Sequence, residues 1–237
     1  MNLGLGSSLK TAGNVSTPGI ISDGLVLKSN FDTGAVTPIS DGSASFDGTD
    51  DYITMGNACN LGTGDFTIAG WMNATDYTNN QSFVSKYQDS NNRWYFGTDA
   101  SDRPIFYSKT GGSATIGLTG TDVVTDNTWH HFAISCDRDG TENLYIDGAL
   151  NVSASCAATD IDNTGDLHIG RYSTTYHDGN ICNVGIWSAA LTAAQIKSIM
   201  YKNYSGLTSS EETNLVSWWN LSADANDNHG SNNGTLS

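Results

Sequence analysis

The residues best placed to do chemistry lie between Ser45 and Ile53, SFDGTDDYI, where Asp47, Asp50 and Asp51 fall within five positions. Carboxylates this close can converge on a hard cation such as calcium, which takes roughly six to eight oxygen ligands. They can equally accept hydrogen bonds from the amides of a tight turn. In that plainer reading Asp47-Gly48 makes the bend and Phe46, Tyr52 and Ile53 belong to the sheets. His130 and His131 stand side by side in a strand-like run, so their side chains point to opposite faces and cannot hold one ion together. One is expected to be buried and hydrogen-bonded, the other to sit at the surface. The four cysteines, Cys59, Cys136, Cys156 and Cys182, are far apart and form no CxxC pair. Cys136 with Cys156 is the pair to test for a disulfide.

Signatures of catalysis are missing from the sequence. It contains no G-x-S-x-G elbow, no H-E-x-x-H helix and no phosphate loop. Its glutamates are Glu142, Glu211 and Glu212, and none stands in an E-x-D-x-E arrangement. The paired carboxyls that retaining glycoside hydrolysis needs, about 5 Å apart, are not suggested by any strand. A formal net charge of −15 repels phosphate backbones and anionic lipid surfaces, so nucleic acid is an unsuitable partner. No segment approaches the roughly 20 apolar residues of a membrane-spanning helix. The opening MNLGLGSSLKTAG lacks the basic head and apolar run of a secretory signal.

The elements that must position these groups read as short strands between turn signals. Runs such as Phe66 to Asn73, Ser82 to Tyr87, Arg93 to Thr98, Pro104 to Lys109, Thr128 to Asp137 and Asn180 to Ser188 alternate with Asp47-Gly48, Gly111-Gly112, Asp139-Gly140 and Asp147-Gly148. That spacing is expected of an antiparallel sandwich. In FTIAGWMN, Phe66, Ile68 and Gly70 oppose Thr67, Ala69 and Trp71. One helix is predicted near the C-terminal side, where Thr192 and Gln195 form a capping box and Ile196, Ile199 and Met200 share a face. Residues 1–42 differ in composition: they hold Phe31 as their one aromatic and two of the three prolines. They read as an extended arm that either stays disordered or orders by laying Ile20, Ile21, Leu25, Val26 and Leu27 on a neighbouring subunit. Residues 43–221 form the expected domain and 222–237 a polar tail.

FDGTDDYITMG, DFTIAGWM, WHHFAISCDRDGTENLYIDGAL and GNICNVGIWSAALTAAQIKSI occur in an order that resembles the laminin-G-like, concanavalin A-like jelly rolls, to which pentraxins are related. The resemblance implies an all-β, two-sheet antiparallel jelly roll over residues 43–221. It implies calcium as the one cofactor to consider. Asp50, Asp51 and Asp178 flank the loops the family shares, and Asp89, Asn91 and Asn92 are an alternative set in the pentraxin manner. The second half of a pentraxin site is missing, since Arg171 and Tyr172 stand where acids are needed. Rings stack on sugar faces while polar groups take the hydroxyls, and Arg93, Trp94, Tyr107, Tyr172 and Tyr176 are the candidate ligand patch.

The run GIISDGLVLKSNFDTGAVTPISDGSASFDGTDDYI is similar to the amino-terminal part of virion proteins of marine tailed phages, where a short arm precedes a laminin-G-like jelly roll. This implies a non-enzymatic particle component on capsid or tail, anchored by its arm to other virion proteins and associating with itself. The alternative is an extracellular, calcium-assisted carbohydrate-binding module that recognises a host surface glycan.

Overall fold

The computed structural model describes residues 38–237, with Asn79 described by its backbone alone. The arm-docking residues Ile20, Ile21, Leu25, Val26 and Leu27 lie outside the described residues. The strands are β1 (Ala44–Asp47), β2 (Ile53–Thr54), β3 (Phe66–Ala74), β4 (Ser82–Tyr87), β5 (Arg93–Thr98), β6 (Pro104–Thr110), β7 (Ser113–Thr119) and β8 (His130–Cys136). They continue with β9 (Thr141–Ile146), β10 (Ala149–Ser155), β11 (Asp166–Ile169), β12 (Arg171–Tyr172), β13 (Thr175–Tyr176), β14 (Asp178–Trp187), β15 (Leu215–Trp219) and β16 (Thr235–Leu236). One α-helix, α1 (Ala193–Ile199), precedes β15.

Two seven-stranded antiparallel sheets face each other. The first runs β1-β14-β3-β8-β9-β10, with β15 also on β14, and the second runs β16-β2-β11-β4-β5-β6-β7. Alternation decides which side chains fill the gap between them. From the first sheet come Phe66, Ile68, Phe132 and Ile134; from the second, Phe83, Trp94, Phe96 and Phe106, all without exposed surface or nearly so. Phe66 meets Phe106 across the sandwich at a centroid distance of 5.4 Å. Burial of each such ring is worth about 2–3 kcal/mol, so this layer dominates the stability.

The opposite face of the first sheet is closed by α1. Ala69, Ala133, Tyr145 and Trp187 form a second apolar cluster with Ile196 and Ile199. The predicted capping box is present, with Gln195 N–H donating to Thr192 Oγ1 and Thr192 N–H to Gln195 Oε1. Trp71 Nε1 donates to the Met200 carbonyl at 3.0 Å and fastens the helix end to the sheet. No α-helix among the described residues covers the outer face of the second sheet. There the small hairpin β12–β13 docks instead, held by Ser85 Oγ donating to the Arg171 carbonyl at 2.5 Å.

Residues 222–237, read from the sequence as a polar tail, carry β16, which pairs with β2 at the edge of the second sheet. Their polar side chains face inward as well as outward. Asp227 accepts hydrogen bonds from the amides of Trp218, Gly230 and Asn232. β7 was also missed from sequence because SATIGLT buries little beyond Ile116 and Leu118. No helix among the described residues is long and apolar enough to cross a membrane.

Candidate functional site

The exposed aromatic surface follows from the period of the strands around the uncovered face. On β5, Trp94 and Phe96 point into the core, so Arg93 and Tyr95 must point outward. Register then sets their neighbours. Tyr87 on β4 lies opposite Arg93, and Tyr107 on β6 lies opposite Tyr95. The hairpin adds Tyr172, whose ring stacks on Tyr95 at 4.4 Å and meets Tyr87 edge-on at 5.5 Å. Tyr95 and Tyr107 are 6.2 Å apart. The Arg93 guanidinium lies 5.9 Å from the centroids of both Tyr87 and Tyr172. All five side chains are half-buried. Beside Tyr107, a shallow groove of about 310 Å³ runs along β6 and β7 past Ile105, Gly117 and Thr119.

The electrostatics of this face are unlike those of the rest of the molecule. The other arginines are committed: Arg103 to Asp99, Arg138 to the Ala157 and Thr159 carbonyls, and Arg171 through Nε to the Ser173 carbonyl. The Arg93 side chain makes no hydrogen bond or ion pair among the described residues, and its Nε is buried without a partner. Burial raises the Tyr95 hydroxyl, and burial first of all pushes Tyr172 up to about 12. Both phenols therefore stay protonated near neutral pH and can donate as well as accept.

A second arginine–tyrosine group lies on the other side of the hairpin. Arg171 stands 4.5 Å from the centroid of Tyr52 and 5.5 Å from that of Tyr176, its partner across the hairpin. Tyr176 therefore does not join the patch built on Tyr172. It lines an acidic cleft of about 320 Å³ together with Asp47, Gly48, Gln81, Thr174, Thr175 and Asp178. Gly48 is required at this point: its φ is +75°, and an added Cβ would lie 2.9 Å from the Asp178 Cβ.

The aspartates of SFDGTDDYI resolve into a turn with ligand-capable oxygens. Asp47 Oδ1 accepts from the Thr49 amide at 2.8 Å, and Asp51 Oδ2 accepts from the Asp47 amide at 3.1 Å. Asp50 makes no side-chain hydrogen bond and is exposed. Carboxylate oxygens of Asp47, Asp50 and Asp51 lie within 4.8 Å of one another. Asp178 is set opposite Asp47 across the β1–β14 ladder. The donors are hard oxygens and suit calcium, yet three carboxylates need water to complete its shell. In the alternative set, Asp89 Oδ1 accepts from the amides of Asn91 and Asn92, and Asn92 Oδ1 accepts from Gly111 N–H. Those groups are spent on the β4–β5 and β6–β7 turns.

One predicted ligand residue needs correction. Trp94 is fully buried between the sheets and offers no ring to a ligand. Tyr95 takes the place given to Trp94, Tyr87 is an addition to the patch, and Asp47 joins Asp50 and Asp51 where the family loops alone pointed to Asp50, Asp51 and Asp178. The signal for Tyr95 was available, because a strand that turns Arg93 outward must do the same for the residue two positions on. The expected pair is only partly found: His131 is buried but its Nδ1 has no hydrogen-bond partner among the described residues, and the hydrogen-bonded ring is that of His130, which is half-buried rather than at the surface. His130 Nε2 accepts from the Thr125 amide at 3.1 Å, so its Nδ1–H donates to Asp147 Oδ2 at 2.9 Å. Both nitrogens serve the Asp147-Gly148 turn and its neighbouring loop. Trp129, just before β8, is half-buried.

Residues 47–197 match the family described as the concanavalin A-like lectin/glucanases superfamily. No curated protein matches the chain. Among solved structures, one from Bacteroides ovatus, provisionally described as a carbohydrate-binding protein, superposes with a TM-score of 0.64 at 18% identity. The match covers 82% of this chain and 57% of that one, so the chain spans little more than half of that structure's length. A heptameric SAP-like pentraxin from Limulus polyphemus aligns over 66% of this chain and 80% of its own, with TM-score 0.51 and 16% identity. A Ruminococcus gnavus sialidase module, solved with α2,3-sialyllactose, aligns over 69% of this chain and 100% of its own, with TM-score 0.51 and 12% identity. At these identities the likeness is one of fold.

Proposed function

The chain belongs to the concanavalin A-like lectin/glucanases superfamily, and from that premise we propose that it is a non-catalytic glycan-binding module. The ligand lies across Tyr87, Arg93, Tyr95, Tyr107 and Tyr172. The observation that carries this reading is the uncommitted Arg93 side chain framed by four half-exposed tyrosines on the sheet face that no α-helix among the described residues covers. Tyrosine rings offer an apolar surface to the C–H face of a sugar, and phenol and guanidinium groups take its hydroxyls. Carbohydrate binding ascribed to structural neighbours is compatible with this assignment and supplies no residue to it.

Calcium enters the proposal as an assisting ion. Asp47, Asp50 and Asp51 would hold it, with Asp178 close by, at the cleft that Thr174, Thr175 and Tyr176 of the same hairpin also line. The ion would stiffen the turn beside the hairpin that carries Tyr172. We further assign the module to the surface of a phage particle, with residues 1–42 as its anchor to other virion proteins. That setting rests on the amino-terminal run alone, and an extracellular setting would leave the glycan site unchanged.

A glycan array tests the binding directly. Saturable binding is expected, with Tyr95→Ala weakening it about tenfold, the equivalent of about 1.4 kcal/mol. Addition of calcium should raise the melting temperature, and Asp50→Asn together with Asp51→Asn should remove that rise. Absence of binding across the array would defeat the lectin reading.

A further inference from the structure

Cys136, Glu142 and Cys156 form a group that takes no part in the tyrosine face, and their ligating atoms all lie within 4.8 Å of one another. Register explains the closeness. Cys136 ends β8 and pairs across the ladder with Glu142 on β9, and both side chains are buried. Cys156 follows β10 directly, and its N–H donates to the Gly140 carbonyl at 3.1 Å, which folds the chain back over the start of β9. Glu142 Oε2 is buried without a hydrogen-bond partner, and so is Nη1 of Arg138. An orphaned buried polar atom costs about 1–3 kcal/mol, so two of them beside a pair of thiols call for an explanation.

We propose that Cys136, Cys156 and Glu142 form a site for a thiophilic divalent cation of the zinc class. Two sulfurs and one carboxylate have the softness such an ion selects, and they leave one position of a tetrahedral shell for water. Cys156 is half-buried, which gives the ion a path from solvent. Charge also balances. Two thiolates and a carboxylate are offset by a divalent ion together with the neighbouring Arg138 guanidinium, whose remaining nitrogens are fixed by the Ala157 and Thr159 carbonyls. The thiol protons are released to solvent as the ion binds, with no change of oxidation state. This site is independent of the oxygen-only turn at Asp47 and of the glycan face.

The test is a cadmium titration of the full chain, reduced and freed of metal, followed by the ultraviolet cadmium–thiolate charge-transfer band and by native mass spectrometry. A band saturating at about one ion per chain is expected, with bound ion protecting Cys136 and Cys156 from alkylation. Cys156→Ser and Glu142→Gln should each weaken binding by about tenfold or more. Cys156 lies at the sheet margin, so its variant stays folded even if a change at the buried Cys136 does not. Lack of the band, or a band unchanged in Cys156→Ser, overturns the site. Recovery of a Cys136–Cys156 disulfide as the resting form from the native source overturns it too, because the thiols are then consumed.

Discussion

Adjacent residues on β5 are assigned opposite roles, Trp94 in the core and Tyr95 on the proposed binding face. Trp94 fills the core and Tyr95 faces outward, so Trp94→Ala should cost about 3–5 kcal/mol in a denaturant melt. Tyr95→Ala should cost under about 1 kcal/mol and act on binding instead. Equal losses in the two melts would show that the outward ring is structural. Two buried histidines give a pH dependence with a definite sign. Burial pushes His131 down to about 3 and His177 to about 4, whereas both titrate near about 6.5 once unfolded. The unfolded chain therefore takes up protons first. Their contribution is full above about pH 6.5 and drains as pH falls toward about 4, and it outweighs the smaller opposite contribution of Glu142, which burial pushes up to about 7. Calorimetry between pH 7 and pH 4 should record a falling melting temperature, and a flat profile would contradict this account.

At the level of elements, α1 is held by few but specific contacts. Glu211 accepts from Ser198 Oγ, Lys202 Nζ and the Thr208 amide, and these partners draw its carboxyl down to about 2 despite the opposing effect of burial. Its contribution is present above about pH 4.5 and is lost as pH falls toward about 2. Glu211→Ala leaves Lys202 without its partner and should destabilise by about 3 kcal/mol, while Thr192→Ala at the cap should cost about 1 kcal/mol. Similar small losses from both would mean that the pair is solvated. This helix was legible in sequence because Thr192, Gln195, Ile196 and Ile199 satisfy capping and periodicity together. β4 and β5 were legible to the residue because polar turn residues, Asp89 to Asn92 between them, bound two short runs rich in aromatic and β-branched residues. β13 and β16 are two residues long and exist through pairing alone, which no local pattern announces. The candidate patch was half legible. Its tyrosines were visible, but β4, β5 and β6 and the β12–β13 hairpin meet only through long-range register, and that register brings Tyr87, Tyr95 and Tyr107 to Tyr172.

Within residues 38–237 the sandwich is asymmetric: one sheet is closed by α1, and on the other the described residues place a small hairpin and a row of tyrosines. Both sheets and both apolar clusters are built from residues 38–237, so a chain beginning at Pro38 should still fold and melt cooperatively. If the amino-terminal residues anchor the protein to a particle, the same truncation should abolish incorporation, and full occupancy without them would remove that role. Glycan binding on the outer face of the second sheet is best tested by an amide-resolved NMR titration of the full chain with a glycan that binds on the array. Shifts are expected to concentrate at Tyr87, Arg93, Tyr95, Tyr107 and Tyr172. Saturable shifts confined to α1 or to the β9–β10 edge, with those five residues unmoved, would contradict it.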